Sequence, residues 1–207
     1  MKIPKKIKIG GHVYTVEFPH KFKDLDDRFA QHSYNHLSIL ITDTAYDGDR
    51  RDDQWIVTSL LHEVIHAIDS IYIHKVLTEE YVEAMSFGLL QVFRDNKSTF
   101  DILSNTKWIP KKLNILGYIY KIKYPYVFSE DESVFFVLKN SSCEVLIDDG
   151  QGKIHKSVLK CAMLDCIITA IEYINKFNLD SVVEISLAQG LYQVLVDNRD
   201  FAKCLRM

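Results

Sequence analysis

The chain repeats part of its own sequence, and this repeat restricts its fold more than any other feature. Residues 3–19, IPKKIKIGGHVYTVEFP, align without a gap with residues 109–125, IPKKLNILGYIYKIKYP. Two further blocks align: residues 37–43 with 143–149 at the same offset and, after a net deletion of a few residues, 88–96 with 190–198. Because each block returns in the same order, the sequence predicts two copies of one structural unit.

Each copy is predicted to begin with strands and to end with two helices. In the first copy, apolar and polar residues alternate in residues 8–18 and 37–42, which is the period of a strand. Strands followed by helices predict an α+β fold, in which a small sheet carries helices on one face. The boundary is expected near residues 97–107, where a polar stretch begins, and this gives domains of residues 1–100 and 101–207.

The first helical run, from about residue 52 to residue 73, contains the sequence His62-Glu63-Val64-Ile65-His66. The apolar residues of this run recur at helical spacing, and both histidines lie on a neighbouring stripe. Two imidazoles one turn apart can bind one tetrahedral zinc ion. Glu63 lies about 100° further round the helix, so it is expected to face the metal-bound water as a general base.

The second copy keeps the apolar positions of this helix but lacks the histidines and the glutamate of the motif. Residues 164–171 align with residues 61–68, and Asp165, Cys166 and Thr169 stand where the motif has its two histidines and its glutamate. A carboxylate, a thiol and a hydroxyl make a poor zinc ligand set. We therefore expect one metal ion per chain, in the first copy.

A catalytic zinc ion needs a third protein ligand. The candidates are Glu79, Glu80, Glu83, Asp69 and His74. Thr78 is a good N-cap, which places Glu79 in the first turn of the next helix and Glu83 on the same face, with Glu80 rotated away. Acidic residues also favour a helix N-terminus without any metal, so this alternative stays open.

The other two candidates lie on the motif helix itself. His74 follows His66 by eight residues, about 12 Å along the axis, which is too far for a shared ion unless the helix breaks. Asp69 is better placed to accept a hydrogen bond from a histidine N–H, or it is an exposed acid on the helix.

Charge and composition exclude several classes of protein. The net charge of −3 and the pI near 6.2 give no general attraction to nucleic acid or to an anionic membrane. No apolar run is expected to cross a bilayer, and the start lacks the apolar stretch of a secretion signal, so a cytoplasmic location is expected. The four cysteines show no CxxC pairing and are expected to be free thiols.

These residues resemble the compact gluzincin-type metallopeptidases, in particular the small HExxH proteins of phages and mobile elements and their relatives in the ImmA/IrrE group. The resemblance covers residues 5–96 and rests on the strand at residues 8–18, the HExxH motif and the downstream sequence EEYVE at residues 79–83. It implies two tandem zincin-like repeats, of which the second is degenerate.

The resemblance also implies a ligand set and a mode of substrate binding. Glu79 would be the third zinc ligand and Glu83 would support a histidine, and the reverse assignment stays open. The strand before the motif helix, about residues 36–42, would be an edge strand that binds an extended peptide by strand addition. The short spacing between His66 and Glu79, and the second copy without a motif, depart from the family pattern.

The implied activity is zinc-dependent hydrolysis of a peptide bond in a peptide or protein substrate, in the host cytosol if the chain is encoded by a phage. The candidate side chains for stabilising the oxyanion are Tyr34, His36, Tyr46 and Tyr72. An RNA hydrolase with three histidines is disfavoured, because no third histidine has a suitable spacing and the charge is near neutral. A weakly active or inactive scaffold that binds a protein partner is the alternative, and the repeat itself predicts a monomer with an internal pseudodimer.

Overall fold

The computed structural model describes residues 2–22, 28–96, 109–129, 134–148, 150 and 152–206. The expected boundary near residues 97–107 lies outside the described residues. The first copy comprises β1 (Lys6–Ile9), β2 (His12–Glu17), β3 (Ala30–Ser33), β4 (Ser38–Ile41), α1 (Asp53–Ile68), a π-helical turn (Asp69–Ile73) and α2 (Glu79–Asp95). The second comprises β5 (Lys112–Ile115), β6 (Tyr118–Lys123), β7 (Phe136–Lys139), a 3₁₀ turn (Asn140–Ser142), β8 (Glu144–Ile147), α3 (Lys156–Asn175), α4 (Ser181–Asp197) and α5 (Arg199–Cys204).

Both copies contain a four-stranded sheet with the same strand order. The orders are β1-β2-β4-β3 and β5-β6-β8-β7, and in each sheet the central pair is parallel and the outer pairs are antiparallel. The repeat also holds in register, since Lys6 pairs with Thr15 and Lys112 pairs with Lys121. The α+β class and the duplication of the sheet are therefore confirmed.

The predicted edge strand is wrong. The strand that precedes the motif helix, β4, lies between β2 and β3, so its backbone is already paired on both sides. The edge is β3, whose sequence AQHS has no apolar alternation and is half-buried throughout. Its pairing with β4 is fixed by contacts distant in sequence, which local periodicity does not report.

Helix α1 forms the centre of the first copy. The Asp52 carboxylate accepts a hydrogen bond from the Gln54 backbone N–H and caps the N-terminus. By length and composition, Asp53–Ile73 could cross a membrane, contrary to the expectation from sequence, but 67% of its apolar 18-residue window is buried inside the protein, as in the core helix of a globular domain. The π-helical turn then ends at Ile73, and the next two residues, His74 and Lys75, both adopt a left-handed backbone conformation.

The two copies pack through their helices at two equivalent close contacts. A Cβ atom on Gly88 of α2 would lie 2.8 Å from Cγ2 of Ile171 on α3, and one on Gly190 of α4 would lie 2.5 Å from Cγ2 of Ile68 on α1. Both glycines therefore allow helices of different copies to approach closely. The hydrophobic core is continuous across this contact and includes buried residues of both copies.

The second α-helix of each copy, with the residue that follows it, also covers one sheet edge of the other copy. Gln193 of α4 accepts a hydrogen bond from the Gly10 N–H, and Asn198, which follows α4, accepts one from the Lys8 N–H, both at 2.8 Å. Gln91 and Asn96, at the end of α2, accept equivalent bonds from Leu116 and Asn114, also at 2.8 Å. The β1 and β5 edges are thereby occupied, which leaves β3 and β7 as the other edges.

Candidate metal centre

The two motif histidines and the first residue of α2 meet at one point. His62 Nε2 and His66 Nε2 lie 3.1 Å apart on α1. Oε1 of Glu79 lies 2.8 Å from His62 Nε2, and its Oε2 lies 3.1 Å from His66 Nε2. Thr78 caps α2 by accepting a hydrogen bond from the Tyr81 N–H, which fixes Glu79 in the first turn as the sequence predicts. The three side chains form a candidate metal-binding triad.

The spacing of these atoms fits a tetrahedral ion. Zinc binds histidine nitrogen and carboxylate oxygen at about 2.0–2.2 Å, so two ligand atoms at the tetrahedral angle are about 3.3 Å apart. The separations of 2.8–3.1 Å within the triad are close to this value. Two histidines and one carboxylate are also a ligand set of catalytic zinc, in which the fourth position is left to water or substrate.

Asp69 holds the loop that brings α2 to the histidines. Its carboxylate accepts hydrogen bonds from the backbone N–H groups of Val76 at 3.0 Å and of Leu77 at 3.4 Å. Burial raises the pKa of Asp69, while these two bonds and the charge of His66 act in the opposite direction. Asp69 is only 4% exposed, so the interpretation as an exposed helix acid is wrong. Its contact with the loop backbone was not expected from the sequence.

Glu63 lies beside the triad but belongs to a different environment. Its side chain is buried beneath β3, where the carboxylate accepts a hydrogen bond from the His32 backbone N–H. Burial, and then the negative charge of Glu79, raise the pKa of Glu63 to about 8, while the bond from His32 acts to lower it. A cation held by the triad would favour the ionised carboxylate. The structure thus separates Glu63 from the three converging groups, as the motif predicts.

Glu83 lies one turn after Glu79 and acts on the site through its charge. Burial and the charge of His66 lower the pKa of His62, while the charges of Glu79 and Glu83 raise it. Glu83 lines the same cavity as Glu63 and Glu79. The remaining two ligand candidates, Glu80 and His74, are exposed and lie outside the triad.

Two cavities meet at the triad, one on each side. The larger has a volume of about 920 Å³ and extends toward Trp55 and Phe87. The smaller has a volume of about 510 Å³ and extends toward Tyr34 and Lys75. Both are lined by Glu63, Glu79 and Ala30 of β3, so the edge strand runs beside a cleft that passes the candidate metal centre.

The buried side chain of Arg51 connects the segment just before β3 to the motif helix. Its guanidinium donates to the Phe29 carbonyl at 3.3 Å and the Trp55 carbonyl at 3.3 Å, and to the Ser59 hydroxyl at 2.7 Å. The guanidinium also lies 4.3 Å from the centre of the Phe29 ring. The wall of the cleft is therefore fixed to α1 just before the motif.

His32 is a site residue that sequence reasoning missed. Its backbone N–H holds Glu63, and its ring lines the smaller cavity beside the Tyr14 hydroxyl, with Nε2 at 3.3 Å from that oxygen. Burial, with smaller effects of the charges of His66 and Lys75, lowers the pKa of the His32 ring to about 4, so the ring is neutral at pH 7. Nothing in the sequence near residue 32 marks it, because its role depends on the pairing of β3.

The four candidate oxyanion donors lie in different surroundings. Tyr34 lines the smaller cavity, where the Lys75 ammonium lies 5.6 Å from the centre of its ring. Tyr72 instead donates to Gln193 of the other copy at 3.4 Å. Tyr46 packs against the Phe29 ring, and His36 is hydrogen-bonded to Ser33. Tyr34 is therefore the candidate whose surroundings adjoin the triad.

The corresponding place in the second copy is closed. Asp165 and Cys166 are buried, and the Thr169 hydroxyl lies 3.0 Å from a carboxylate oxygen of Glu184. Across the described ranges, the one set of three side chains that could share a metal ion is His62, His66 and Glu79. The expectation of a single site in the first copy therefore agrees with the geometry of the described residues.

The fold and the site define a class: a mixed α+β protein with an internal repeat and a candidate HExxH metal centre on one copy. Comparisons with family models, with curated proteins and with solved structures found no match. What the site does is therefore inferred from its own geometry and chemistry.

Proposed function

We propose that this chain is a zinc-dependent peptidase of the gluzincin type. The observation that carries the proposal is the convergence of His62, His66 and Glu79 within 2.8–3.1 Å, with Glu63 buried next to them. The resemblance to the ImmA/IrrE group rests on the same residues and is part of the proposal. When bound, zinc would supply Lewis acidity to the scissile carbonyl and lower the pKa of a ligand water.

Glu63 is the proposed general base. Its carboxylate takes a proton from the attacking water and returns that proton to the nitrogen of the departing amine, so that water is added across the C–N bond. The His32 backbone N–H restrains the Glu63 carboxylate, and the burial of Glu63 limits its contact with solvent. Each histidine is held by α1, and Glu79 by the Thr78 cap, so the ligand geometry is set before substrate binds.

The substrate is proposed to be an extended peptide that pairs with β3. The outer edge of this strand has no partner strand among the described residues, and the two cavities lie along it on both sides of the triad. An edge strand beside a cleft can bind a peptide through main-chain hydrogen bonds, while the cavities receive alternate side chains. This keeps the expected mode of binding and assigns it to β3 in place of β4.

Metal removal tests the proposed function. We expect the purified protein to contain zinc and to cleave members of a generic peptide library, to lose this activity after treatment with a chelator, and to recover it when zinc is added back. His62→Ala should contain no zinc and show no activity. Zinc without turnover would instead favour the scaffold that binds a protein partner, and a protein without affinity for zinc would contradict the peptidase.

A further inference from the structure

Two large aromatic side chains are exposed at the far end of the larger cavity. Trp55 of α1 is 56% exposed and Phe87 of α2 is 40% exposed. Their rings contact edge to face, with centroids 5.8 Å apart and planes at 87°. This edge-to-face geometry is a preferred arrangement of aromatic pairs, and more than a third of each residue still faces solvent.

The pair is part of the cleft that passes the candidate metal centre. Trp55 and Phe87 line the larger cavity together with Glu63 and Glu79. They also line an adjoining hollow of about 420 Å³, which Leu90 extends. The Trp55 carbonyl accepts a hydrogen bond from Arg51, which fixes the backbone on this side. The apolar surface is therefore continuous with the proposed reaction site.

Two helices independently give the distance from this pair to the triad. Trp55 precedes His62 by seven residues on α1, which is about 10 Å of helix. Phe87 follows Glu79 by eight residues on α2, which is about 12 Å. An extended peptide advances about 3.3 Å per residue, so its third or fourth residue from the scissile bond would reach the pair.

We infer that Trp55 and Phe87 form a substrate subsite that binds a large apolar side chain three or four residues from the scissile bond. This inference rests on the proposed function and names the substrate class that the site selects. Burial of the exposed ring faces by an aromatic or branched aliphatic residue would provide the binding energy. The smaller cavity, on the other side of the triad, carries one exposed aromatic residue, Tyr34, which lies beside Lys75, and it has no pair of contacting phenylalanine, tyrosine or tryptophan rings among the described residues.

Cleavage-site mapping tests the subsite on the active protein. The zinc-loaded wild type is incubated with a proteome-derived peptide mixture, and products are identified by mass spectrometry. We expect large apolar residues to be enriched at the third or fourth position on one side of the cleaved bond. In Trp55→Ala and Phe87→Ala this enrichment should disappear, and kcat/KM for peptides with that residue should fall about tenfold or more. For peptides with alanine there, the decrease in kcat/KM should be smaller than for peptides with a large apolar residue.

The matched control is Tyr173→Ala, which removes an equally exposed aromatic ring, 57% exposed, from α3 of the second copy. This variant should keep the wild-type preference. Cleavage by the wild type without any preference at these positions would overturn the subsite and leave the proposed peptidase intact. The same conclusion follows if the preference persists when both aromatic residues are replaced.

A binding readout separates failure of the subsite from failure of the enzyme. Zinc-loaded Glu63→Gln protein is used to select from a displayed random dodecapeptide library, with and without Trp55→Ala on the same background. Selection of peptides with a large apolar residue, and loss of that selection in Trp55→Ala, would support the subsite. This result would support the subsite even if the wild type cleaves no peptide, and the absence of cleavage would then contradict the peptidase alone. No apolar selection, together with no cleavage preference, contradicts the subsite.

Discussion

At the scale of single residues, three glutamates surround the histidine pair, and each has a different relation to it. Glu79 contacts both imidazoles, Glu63 is buried beside them under β3, and Glu83 reaches His62 only through its charge. The sequence predicts this division because it depends on local helical geometry: the HExxH spacing sets Glu63, and the Thr78 cap sets the register of α2.

Neutral substitutions should distinguish the two acids of α2. Glu79→Gln should lower the affinity for zinc, because a primary ligand loses its charge, and added zinc should partly restore activity. Glu83→Gln should weaken zinc binding less, on the order of 10-fold to 100-fold. Zinc affinity is measured by competition with a chelator, and Glu80→Gln, an exposed neighbour in the same turn, is the matched control. Loss of zinc in Glu83→Gln with retention in Glu79→Gln would show that the two roles are reversed.

At the scale of secondary-structure elements, the helices of one copy pack against those of the other. The aligned blocks predict Gly88 and Gly190 as equivalent positions, but they do not reveal that each glycine faces an isoleucine of the opposite copy. The edge strand was also missed at this scale, since the half-buried sequence AQHS of β3 carries no strand period. Local periodicity predicts helices and alternating strands well, whereas contacts between distant elements leave little local trace.

Alanine at either glycine should destabilise the protein. In an ordinary helix interior, alanine is about 1 kcal/mol more favourable than glycine. Here a Cβ atom would lie within 2.8 Å of the Ile171 methyl at residue 88 and within 2.5 Å of the Ile68 methyl at residue 190. Because isoleucine is stiff at χ1, we expect Gly88→Ala and Gly190→Ala to cost about 1–3 kcal/mol in chemical denaturation. A gain in stability in both variants would contradict the close contact.

The contact between α2 and α3 should make stability depend on pH. Tyr81 donates a 2.7 Å hydrogen bond to the buried Glu172 carboxyl, which is also hydrogen-bonded to Glu184. Burial, and then the bond to Glu184, raise the pKa of Glu172 from 4.5 to about 7. The pKa of the nearby buried Asp165 is raised to about 6 by burial and by the Glu184 charge, so it acts in the same direction.

The folded protein retains a proton on Glu172 that the unfolded chain releases. The contribution of Glu172 to the free energy of unfolding is therefore complete below pH 4.5 and is lost as pH rises to about 7. From Glu172 alone we expect a decrease on the order of 3 kcal/mol across this window, while the lowered pKa of the His32 ring acts in the opposite direction below about pH 6.5. Denaturation at several pH values should show a smaller loss of stability between pH 4.5 and 7 in Glu172→Gln than in the wild type, with Asp165→Asn as a separate control for the second acid. A pH profile of Glu172→Gln identical to that of the wild type would contradict the assignment.

At the scale of the whole molecule, the two copies are interlocked and share one core. Glutamine and asparagine side chains at the end of α2 bind the β5 edge of the second copy, and those at the end of α4 bind the β1 edge of the first. The duplicated fold could be predicted because the repeat is visible in the sequence, while this mutual covering of edges could not, since it depends on the packing of complete units. The second copy lacks the triad residues and instead supplies packing surface to the first.

The protein is expected to be monomeric, because the two copies within one chain already bury the helix faces and sheet edges that a single copy would offer to a second chain. Its mass by light scattering should be that of one chain, 24.0 kDa, at micromolar concentration and at moderate salt. A stable dimer would contradict the internal pseudodimer as the complete assembly.

The central claim is that Glu63 performs proton transfer and does not bind the metal. The most direct test compares metal content and peptide hydrolysis in the wild type and in Glu63→Gln, an isosteric change at a buried position. We expect one zinc ion per chain in both proteins by mass spectrometry, with hydrolysis lower by about 10² or more in the variant. Zero or two zinc ions per chain in the wild type, loss of zinc in Glu63→Gln, or hydrolysis by Glu63→Gln at the wild-type rate would contradict this account.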